Sequence, residues 1–512
     1  MGSKRNGRTP CLIGAGRRTW RAPDCGPDGA PEPLLMWEEV ARLADHDTGG
    51  AGAADRFERI DVVYGQAWQY DDPVGRLSER LGAKPSRSAY SGIGGTVPQT
   101  LLADASRDIL RGDLDLALVV GGEALASRRR LAKEGRKPDW SFRPDKRRPF
   151  PLDVPPHPGE VTHSIFEAWL TFALFENARR AHLGSDLTAY RRSLGELLAP
   201  MTAVAAANPY AWFPTARSVD EVIGPTVDNR MVGYPYAKLM TAIMDVDMAA
   251  AVIVASDAMA DSMGVPLDRR VYLRGWGYAE DPPAVAGRLD LWRSGAMQAA
   301  GAAALQGAGA GVDDVAHFDL YSCFASSIEF SLDALGIDPA AARSRGPEVS
   351  PERPISVTGG LAYHGGPGSN YMTHSLATMV EELRRDPGSL GMVSGVGMHI
   401  NKHVFAAYST EPGVLVPPDD SSVSAQGAMD QATIVESFEG PARVATYSVI
   451  HGRDGAPEWA ALVCDVSAED GTAARCYARL SDPGALTEAE QTELIGRSVQ
   501  LVSVDGHTEA RL

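Results

Sequence analysis

Short apolar runs that stop at glycines alternate along this chain with longer stretches in which apolar residues recur every three or four positions. Cys11-Leu12-Ile13-Gly14-Ala15-Gly16 is the first such run and Leu34 to Ala44 the first amphipathic stretch. The two periods predict a strand and a helix. Ile60-Asp61-Val62-Val63-Tyr64-Gly65 reads as a second strand, and the pair Gly94-Gly95 introduces a helix over Thr100 to Leu110. Leu116 to Gly122 is continuously apolar, as a strand covered on both faces is.

The same order returns in the second half. Val271 to Gly277 repeats the opening strand and Leu291 to Leu305 the amphipathic helix. Phe318-Asp319-Leu320-Tyr321-Ser322-Cys323 repeats the strand with an aspartate in second place, Gly359-Gly360 the glycine pair before a helix over Thr373 to Arg384, and Leu390 to Gly397 the last apolar strand. Asp61 and Asp319 lie 258 positions apart and the glycine pairs 265, which predicts a duplicated α/β unit with two sheets covered by helices.

Between the copies, Arg128 to about Tyr236 is polar and rich in Pro and Trp, with a helix over His163 to Ala181. Insertions of that size are where function concentrates. After Ser409 a Pro/Ser/Asp/Gly stretch reads as a linker to about Asp430. Alternation with period two then marks Ala442 to Ile450, Trp459 to Val466, Ala473 to Leu480 and Val499 to Val504, a small antiparallel β-domain of OB-like type.

A chain of 512 residues exceeds what one core holds, and 44% hydrophobic with 22% charged residues fits a globular enzyme. The 66 acidic and 49 basic residues leave a formal charge of -17, which argues against nucleic acid or anionic membrane as a general partner. Against that background, the 21 residues from Arg128 to Arg148 hold ten Lys or Arg and three acids, a candidate local anion site. Five scattered cysteines without ligand spacing predict a reducing compartment and no structural zinc. With no signal-type or membrane-length apolar run, the protein is expected to be soluble and cytoplasmic.

Several strings resemble the thiolase superfamily. Cys11 to Thr19 is similar to its opening strand and GAGRT turn, Arg111-Gly112-Asp113-Leu114-Asp115 through Glu123 to the passage after its nucleophile, and Asp245 to Asp257 to the DGAAAVVLAS segment closing its first half. The resemblance covers about residues 9 to 410 and extends to the type 1 thiolase-like proteins of mycobacteria and relatives, long chains with an added C-terminal domain. It implies a duplicated thiolase fold, layered α-β-α-β-α, plus the small all-β OB-like domain. The halves fall at 9–127 with 237–268 and at 269–410, a loop domain at 128–236, the linker at 411–430 and the β-domain at 431–512.

Thiolases build their site from four loops, and each counterpart here departs from the pattern. In the nucleophile loop, Tyr90 to Gln99, the cysteine position falls on Gly94 to Thr96 and no cysteine is present. The NEAF or HDCF loop matches Tyr321-Ser322-Cys323-Phe324, with Tyr for Asn or His. The GHP loop matches Gly365-Gly366-Pro367, with Gly366 at the histidine position and His364 two residues earlier. The CxG loop matches Ser394-Gly395-Val396-Gly397, with Ser394 for Cys.

The resemblance gives Cys323 an acid/base role on the α-proton of an acyl-CoA, with His364 or His399 as partner; the alternative is a buried filler. Thr96 has a hydroxyl at a helix start, fit for N-capping or, with a base, for attack. His399 is a candidate lining residue; His399 and His403 at helical spacing would make two metal ligands, too few for a site, so no metal is expected. The cluster Arg128, Arg129, Arg130, Lys133, Arg136, Lys137, Arg143, Lys146, Arg147 and Arg148 stands where thiolases bind coenzyme A and suits its phosphates, or else forms a solvated charged face. Gly14-Ala15-Gly16 lacks the third glycine of a dinucleotide site.

Two functions are open. One is an acyl-CoA enzyme of the acetyl-CoA acetyltransferase class, with conventional thiolase activity weak or absent because the nucleophile and the GHP histidine are missing. The other is a non-catalytic binder of coenzyme A or acyl-CoA in lipid metabolism, whose C-terminal domain docks a protein partner.

Overall fold

The structure, a computed structural model, describes residues 7–512 except 27–28, 345–348, 350 and 469–470. In chain order the strands up to the end of the duplicated region are β1 (Pro10–Thr19), β2 (Arg59–Val62), β3 (Arg87–Tyr90), β4 (Leu116–Ala124), β5 (Met231–Gly233), β6 (Tyr236–Ala237), β7 (Asp247–Ser256), β8 (Val271–Glu280), β9 (Val315–Asp319), β10 (Leu390–Gly397) and β11 (Lys402–Ser409). β12 (Thr433–Ile434), β13 (Gly440–His451), β14 (Pro457–Ser467), β15 (Ala473–Leu480), β16 (Ser498–Val504) and β17 (His507–Arg511) follow.

Nine of these run in the order β3-β2-β4-β7-β1-β8-β11-β10-β9. The two copies are its two halves. They are hydrogen-bonded where β1 meets β8, with Cys11 opposite Tyr272 and Leu12 opposite Val271, so the two expected sheets are continuous at that seam. The strand expected over Phe318 to Cys323 stops at Asp319, and Leu320 to Phe324 leaves the sheet as a loop. Helix Pro33–Asp47 packs on β1, β4 and β7, and helix Gly295–Ala308 on β8 and β11. Helices Val97–Arg111 and Tyr371–Arg385 contact each other and strands of both halves, which makes them the middle layer. Every residue of β4 and β7 is buried, which is why those segments read as unbroken apolar runs.

The glycines repeated between the copies have a packing cause. A Cβ on Gly14 or Gly16 would stand 2.1 or 2.2 Å from the carbonyl oxygens of Ala44 and Val40. A Cβ on Gly275 or Gly277 would stand 2.3 Å from those of Ala304 and Ala300. In each copy the first helix lies directly on the backbone of the first strand, at a distance only glycine allows.

Strands β13, β14, β15, β17 and β16 pair in that cyclic order and close on β13, with helix Pro483–Ala489 between β15 and β16. This is the small barrel-like region expected from the alternation, with β17 as a fifth strand the pattern did not announce. It is stitched to the insertion. β5 pairs with β13 through Gly233 and Ile450, and Tyr234 N–H donates to Val449 O at 2.8 Å. Asn177, on helix Ala168–His182, donates to Tyr447 O at 2.8 Å. That helix starts five residues later than predicted, because His157 and Glu160 cap a separate short helix, Pro158–Thr162. The expected linker contains helix Asp420–Gly427, which packs on helix Gly295–Ala308.

Candidate functional site

At the N-terminus of helix Val97–Arg111, the loop Tyr90 to Gln99 brings its backbone against the second half of the chain. Gly94 has a left-handed φ of 149°, and its N–H donates to Ser369 Oγ at 3.0 Å. A Cβ on Gly95 would lie 2.3 Å from Tyr321 Oη and 2.2 Å from Val396 O. The space a side chain at position 95 needs is therefore filled by the phenol of Tyr321. Ser394, buried on β10, accepts the Tyr321 N–H at 2.8 Å and fixes where that ring starts. Tyr321 is 5% exposed, and burial, helped by Cys323, pushes its hydroxyl above the usual phenol range. A protonated hydroxyl at a helix N-terminus is a hydrogen-bond donor in a field that favours negative charge.

Cys323 sits two residues along in the same loop, with Sγ 3.7 Å from Ser327 Oγ. Burial pushes its thiol up to about 12, so the thiolate is scarce at neutral pH. His364 is wholly buried and pushed down to about 4 by that burial, with Arg17 and Arg21 adding to it. Its Nδ1 is 3.2 Å from Gly365 O, and its ring meets Tyr371 and His374 edge-on at 5.9 and 5.3 Å. Cys323 and His364 share no hydrogen bond among the described residues. Tyr371 Oη in turn donates to Asp319, which also accepts from Ser356 and Thr358. Thr96 precedes the helix without a side-chain capping bond, and its Oγ1 would be 3.6 Å from a Cβ on Gly397.

His399 and His403 do not share a helix face. His399 lies in the tight turn between β10 and β11, and His403 lies on β11 with Nε2 2.9 Å from Asp281. The turn is held by fully buried Arg288, whose Nη2 donates to His399 O at 3.1 Å and Ile400 O at 2.6 Å. Met398 and Ile400 both have left-handed φ, 53° and 54°, costly for a β-branched Ile. Among the described residues no group of three His, Cys, Asp or Glu could hold a metal.

The basic cluster divides. Arg128, Arg136, Lys137, Arg143 and Arg147 line one pocket of about 490 Å³, together with Trp68 and Gln69. Arg148 and Arg147 line an adjoining one of about 380 Å³ with Tyr64 and Phe150. Arg129 is paired with Asp245, and Arg130 lies where a Cβ on Gly29 would meet it at 2.8 Å, so these two stand apart from the pocket. The floor of the first pocket is set by Glu123, whose buried carboxylate accepts Gln66 N at 2.6 Å and Ala67 N at 2.8 Å.

Sequence reasoning missed the other side of this groove. Tyr64, Trp68 and Gln69 come from the first half, and Phe150, Leu152, Val154 and Phe166 from the start of the insertion. The string Phe150-Pro151-Leu152-Asp153-Val154-Pro155-Pro156 carried the only hint, since apolar residues spaced by prolines fit neither helix nor strand.

No protein-family profile matches the chain, and no curated protein matches it by sequence. Solved structures do. A monomeric SCP2-thiolase-like protein type 1 from Mycobacterium smegmatis is 29% identical with a TM-score of 0.84, over 99% of this chain and all of that one. The Ltp2-ChsH2 aldolase is 14% identical with a TM-score of 0.60, over 79% of this chain and 99% of that one. Human mitochondrial 3-ketoacyl-CoA thiolase in complex with CoA is 15% identical with a TM-score of 0.54, over 78% and 98%. The last two likenesses concern the fold alone.

Proposed function

Because the chain belongs to the thiolase superfamily, on the side of its type 1 thiolase-like proteins, we propose that it binds a coenzyme A thioester without forming the acyl-cysteine intermediate of thiolases. This reading is supported by a cation-lined pocket together with side-chain space at position 95 that Tyr321 already fills. Four arginines and a lysine converge where phosphates would be held, while Tyr321 occupies the space a nucleophilic side chain at position 95 would need. Guanidinium groups suit a 3'-phosphate and a pyrophosphate because they offer paired donors. Cys323, Ser394 and Thr96 are poor replacements for the missing thiolate: burial pushes the first thiol up to about 12, the second accepts the Tyr321 N–H, and the third makes no capping hydrogen bond at the helix start and would need a base.

A second reading, acid/base chemistry at the carbonyl, is favoured by one specific feature, the protonated Tyr321 hydroxyl at the helix N-terminus. There it would donate to a developing oxyanion, and the class would remain that of an acyl-CoA enzyme. A cytoplasmic location is supported by five cysteines that form no disulfide among the described residues. Among the described residues no helix is long and apolar enough to cross a membrane. One face of the β-domain is taken by the chain's own helix Ala168–His182, so a protein partner would dock on its remaining faces.

Isothermal titration of coenzyme A into the wild type and into the double variant Arg143→Glu, Arg147→Glu tests the reading. Binding that weakens on the order of 100-fold in the variant, at two charge-assisted contacts of about 1.5 kcal/mol each or more, supports it. Equal affinity in both proteins, or no binding to the wild type, overturns it.

A further inference from the structure

Two of the free cysteines face each other inside the β-domain. Cys464 on β14 stands directly opposite Cys476 on β15 in the antiparallel ladder, and both are fully buried. Along β14, buried Cys464 and Val466 alternate with exposed Asp465 and Ser467, so the thiol at 464 points into the barrel. Directly opposite residues share a face, which puts the Cys476 thiol beside it. Opposite residues on antiparallel strands have Cα atoms about 4.5 or about 5.5 Å apart, and a disulfide bridges about 4.4–6.8 Å, so the backbone spacing admits a bond. The Cβ atoms of such a pair stand about 4.5–5.5 Å apart, whereas a disulfide holds them at about 3.8 Å. Closing the bond must draw the strands together, and a bond under that strain is easily reduced. That is the behaviour of a reversible site, and it fits thiols that are free in the structure.

We propose that Cys464 and Cys476 form a reversible redox site that a low-molecular-weight disulfide oxidises. One cysteine thiolate attacks a sulfur of the small disulfide, whose S–S bond breaks and releases a small thiol. The other cysteine then attacks the protein sulfur of this mixed disulfide and releases the second small thiol. Two protein thiols become one disulfide, the small disulfide becomes two thiols, and the two protons pass to the departing thiolates. The site is independent of the coenzyme A reading.

Access comes from the hairpin end. Only the pairs Asp465–Arg475, Val466–Ala474 and Ser467–Ala473 separate the cysteines from the β14–β15 turn. Arg475 holds that end closed, with Nε donating to Asp465 at 2.7 Å and Nη2 to Leu289 O at 2.9 Å. Burial, helped by Asp465, pushes the Cys476 thiol up to about 12 and raises that of Cys464 as well. In the closed barrel neither thiol reacts, and fraying of the three pairs sets the rate.

The strand that carries Cys476 is also the strand that docks the β-domain. Arg475, Tyr477 and Arg479 alternate with Cys476 and point the other way, where they donate to Leu289 O, Glu160 and His163 O at 2.9, 2.7 and 3.0 Å. β15 therefore has a thiol on its inner face and contacts to the rest of the chain on its outer face. Oxidation fixes this docking strand to β14.

The test equilibrates the full chain in buffers that run from reduced glutathione to glutathione disulfide, followed by acid quenching, alkylation of the remaining thiols and peptide mapping by mass spectrometry. A peptide pair joined through Cys464 and Cys476 is expected to appear as the disulfide form of glutathione replaces the thiol form, and to be lost again with dithiothreitol. The glutathione adduct should not accumulate, because the second thiol is already opposite the first. Cys476→Ala should carry no such link. Closing a loop this short is worth on the order of 100-fold and strain offsets part of it, so amide exchange across β14 and β15 is expected to slow roughly 10-fold in the oxidised protein. Unchanged exchange would refute the fixing of the docking strand. Refolding from urea in the same buffers separates access from geometry. A link in neither arm shows that the two cysteines cannot be joined, and a link formed only on refolding shows that the folded protein holds no redox site; both overturn the proposal. So does a bond through Cys11, Cys25 or Cys323 in its place, or one that dithiothreitol leaves intact in the folded protein.

Discussion

Placing a cysteine at position 95, within the stretch Gly94 to Thr96 where the resemblance sets the nucleophile, puts its Cβ 2.3 Å from Tyr321 Oη and 2.2 Å from the carbonyl oxygen of Val396. Carbon and oxygen in van der Waals contact stand more than 3 Å apart, so each approach is too close by about an ångström. Neither neighbour yields cheaply. Tyr321 is buried against Tyr371, ring centroids 5.5 Å apart, and Val396 belongs to β10, where it pairs with His403 of β11. Overpacking of this kind costs about 1–3 kcal/mol and more where backbone must move, so Gly95→Cys is expected to lower stability by about 3 kcal/mol or more. Tyr321→Asn removes one of the two clashes and leaves the other. The double variant is therefore expected to be more stable than the sum of the single effects by about 1–2 kcal/mol, a coupling that a mutant cycle isolates. Urea unfolding followed by tryptophan fluorescence and circular dichroism measures all four proteins. A Gly95→Cys protein within about 0.5 kcal/mol of wild type, or a cycle with no coupling, would refute the claim that Tyr321 fills the side-chain space at position 95.

Tyr477→Phe removes a hydroxyl that donates to Glu160 and accepts from Ala286 N at 2.9 Å, leaving both buried groups short of a partner. A loss of about 1–3 kcal/mol is expected in the same unfolding assay, with the β-domain loosening from the insertion. Acid should expose the Asp281 network. Burial alone would raise that carboxyl, but Arg288, then His403 and Ser294, outweigh it and hold it at about 2. Its stabilisation, about 2 kcal/mol, is complete above the unfolded value near 3.8 and is lost as pH falls through about 2, so Asp281→Asn should flatten the unfolding-midpoint profile between pH 4 and 2. Glu123 acts in the opposite sense. Burial pushes it up to about 7, against the lowering effect of the Gln66 and Ala67 amides, so the folded state keeps its proton longer than the unfolded one and stability falls as pH rises from about 4.5 to 7. Glu123→Gln should reduce that decline over the same range, and an unchanged slope would contradict the assignment.

What could be read from the residues was whatever depends on local period and on packing repeated in both copies. The apolar runs became strands within a few residues, and Gly14 and Gly16, with Gly275 and Gly277, stand where those strands lie under helices. The cation cluster was visible as composition, yet its division was not: Arg129 and Arg130 alternate with groove residues along one helix, and only the fold puts Asp245 beside Arg129. Tyr321 was legible as a substitution and illegible as a space-filler, since its hydroxyl meets a glycine more than 220 residues away in sequence. The spacing of His399 and His403 misled because four residues span a helical turn and also a tight hairpin, and Met398 and Ile400 in left-handed conformations give no sequence signal. Glu160 was missed because its partners, Tyr477 and Val285, lie in other parts of the chain, although the His157-to-Glu160 cap around it is local.

Intact-protein mass spectrometry of the wild type after incubation with acetoacetyl-CoA and coenzyme A, beside Cys323→Ala, tests most directly whether this fold works without a covalent cysteine. Unmodified mass is expected in both proteins while coenzyme A remains bound in calorimetry. A mass gain of one acetyl group in the wild type, absent from Cys323→Ala, would contradict it and make Cys323 the nucleophile.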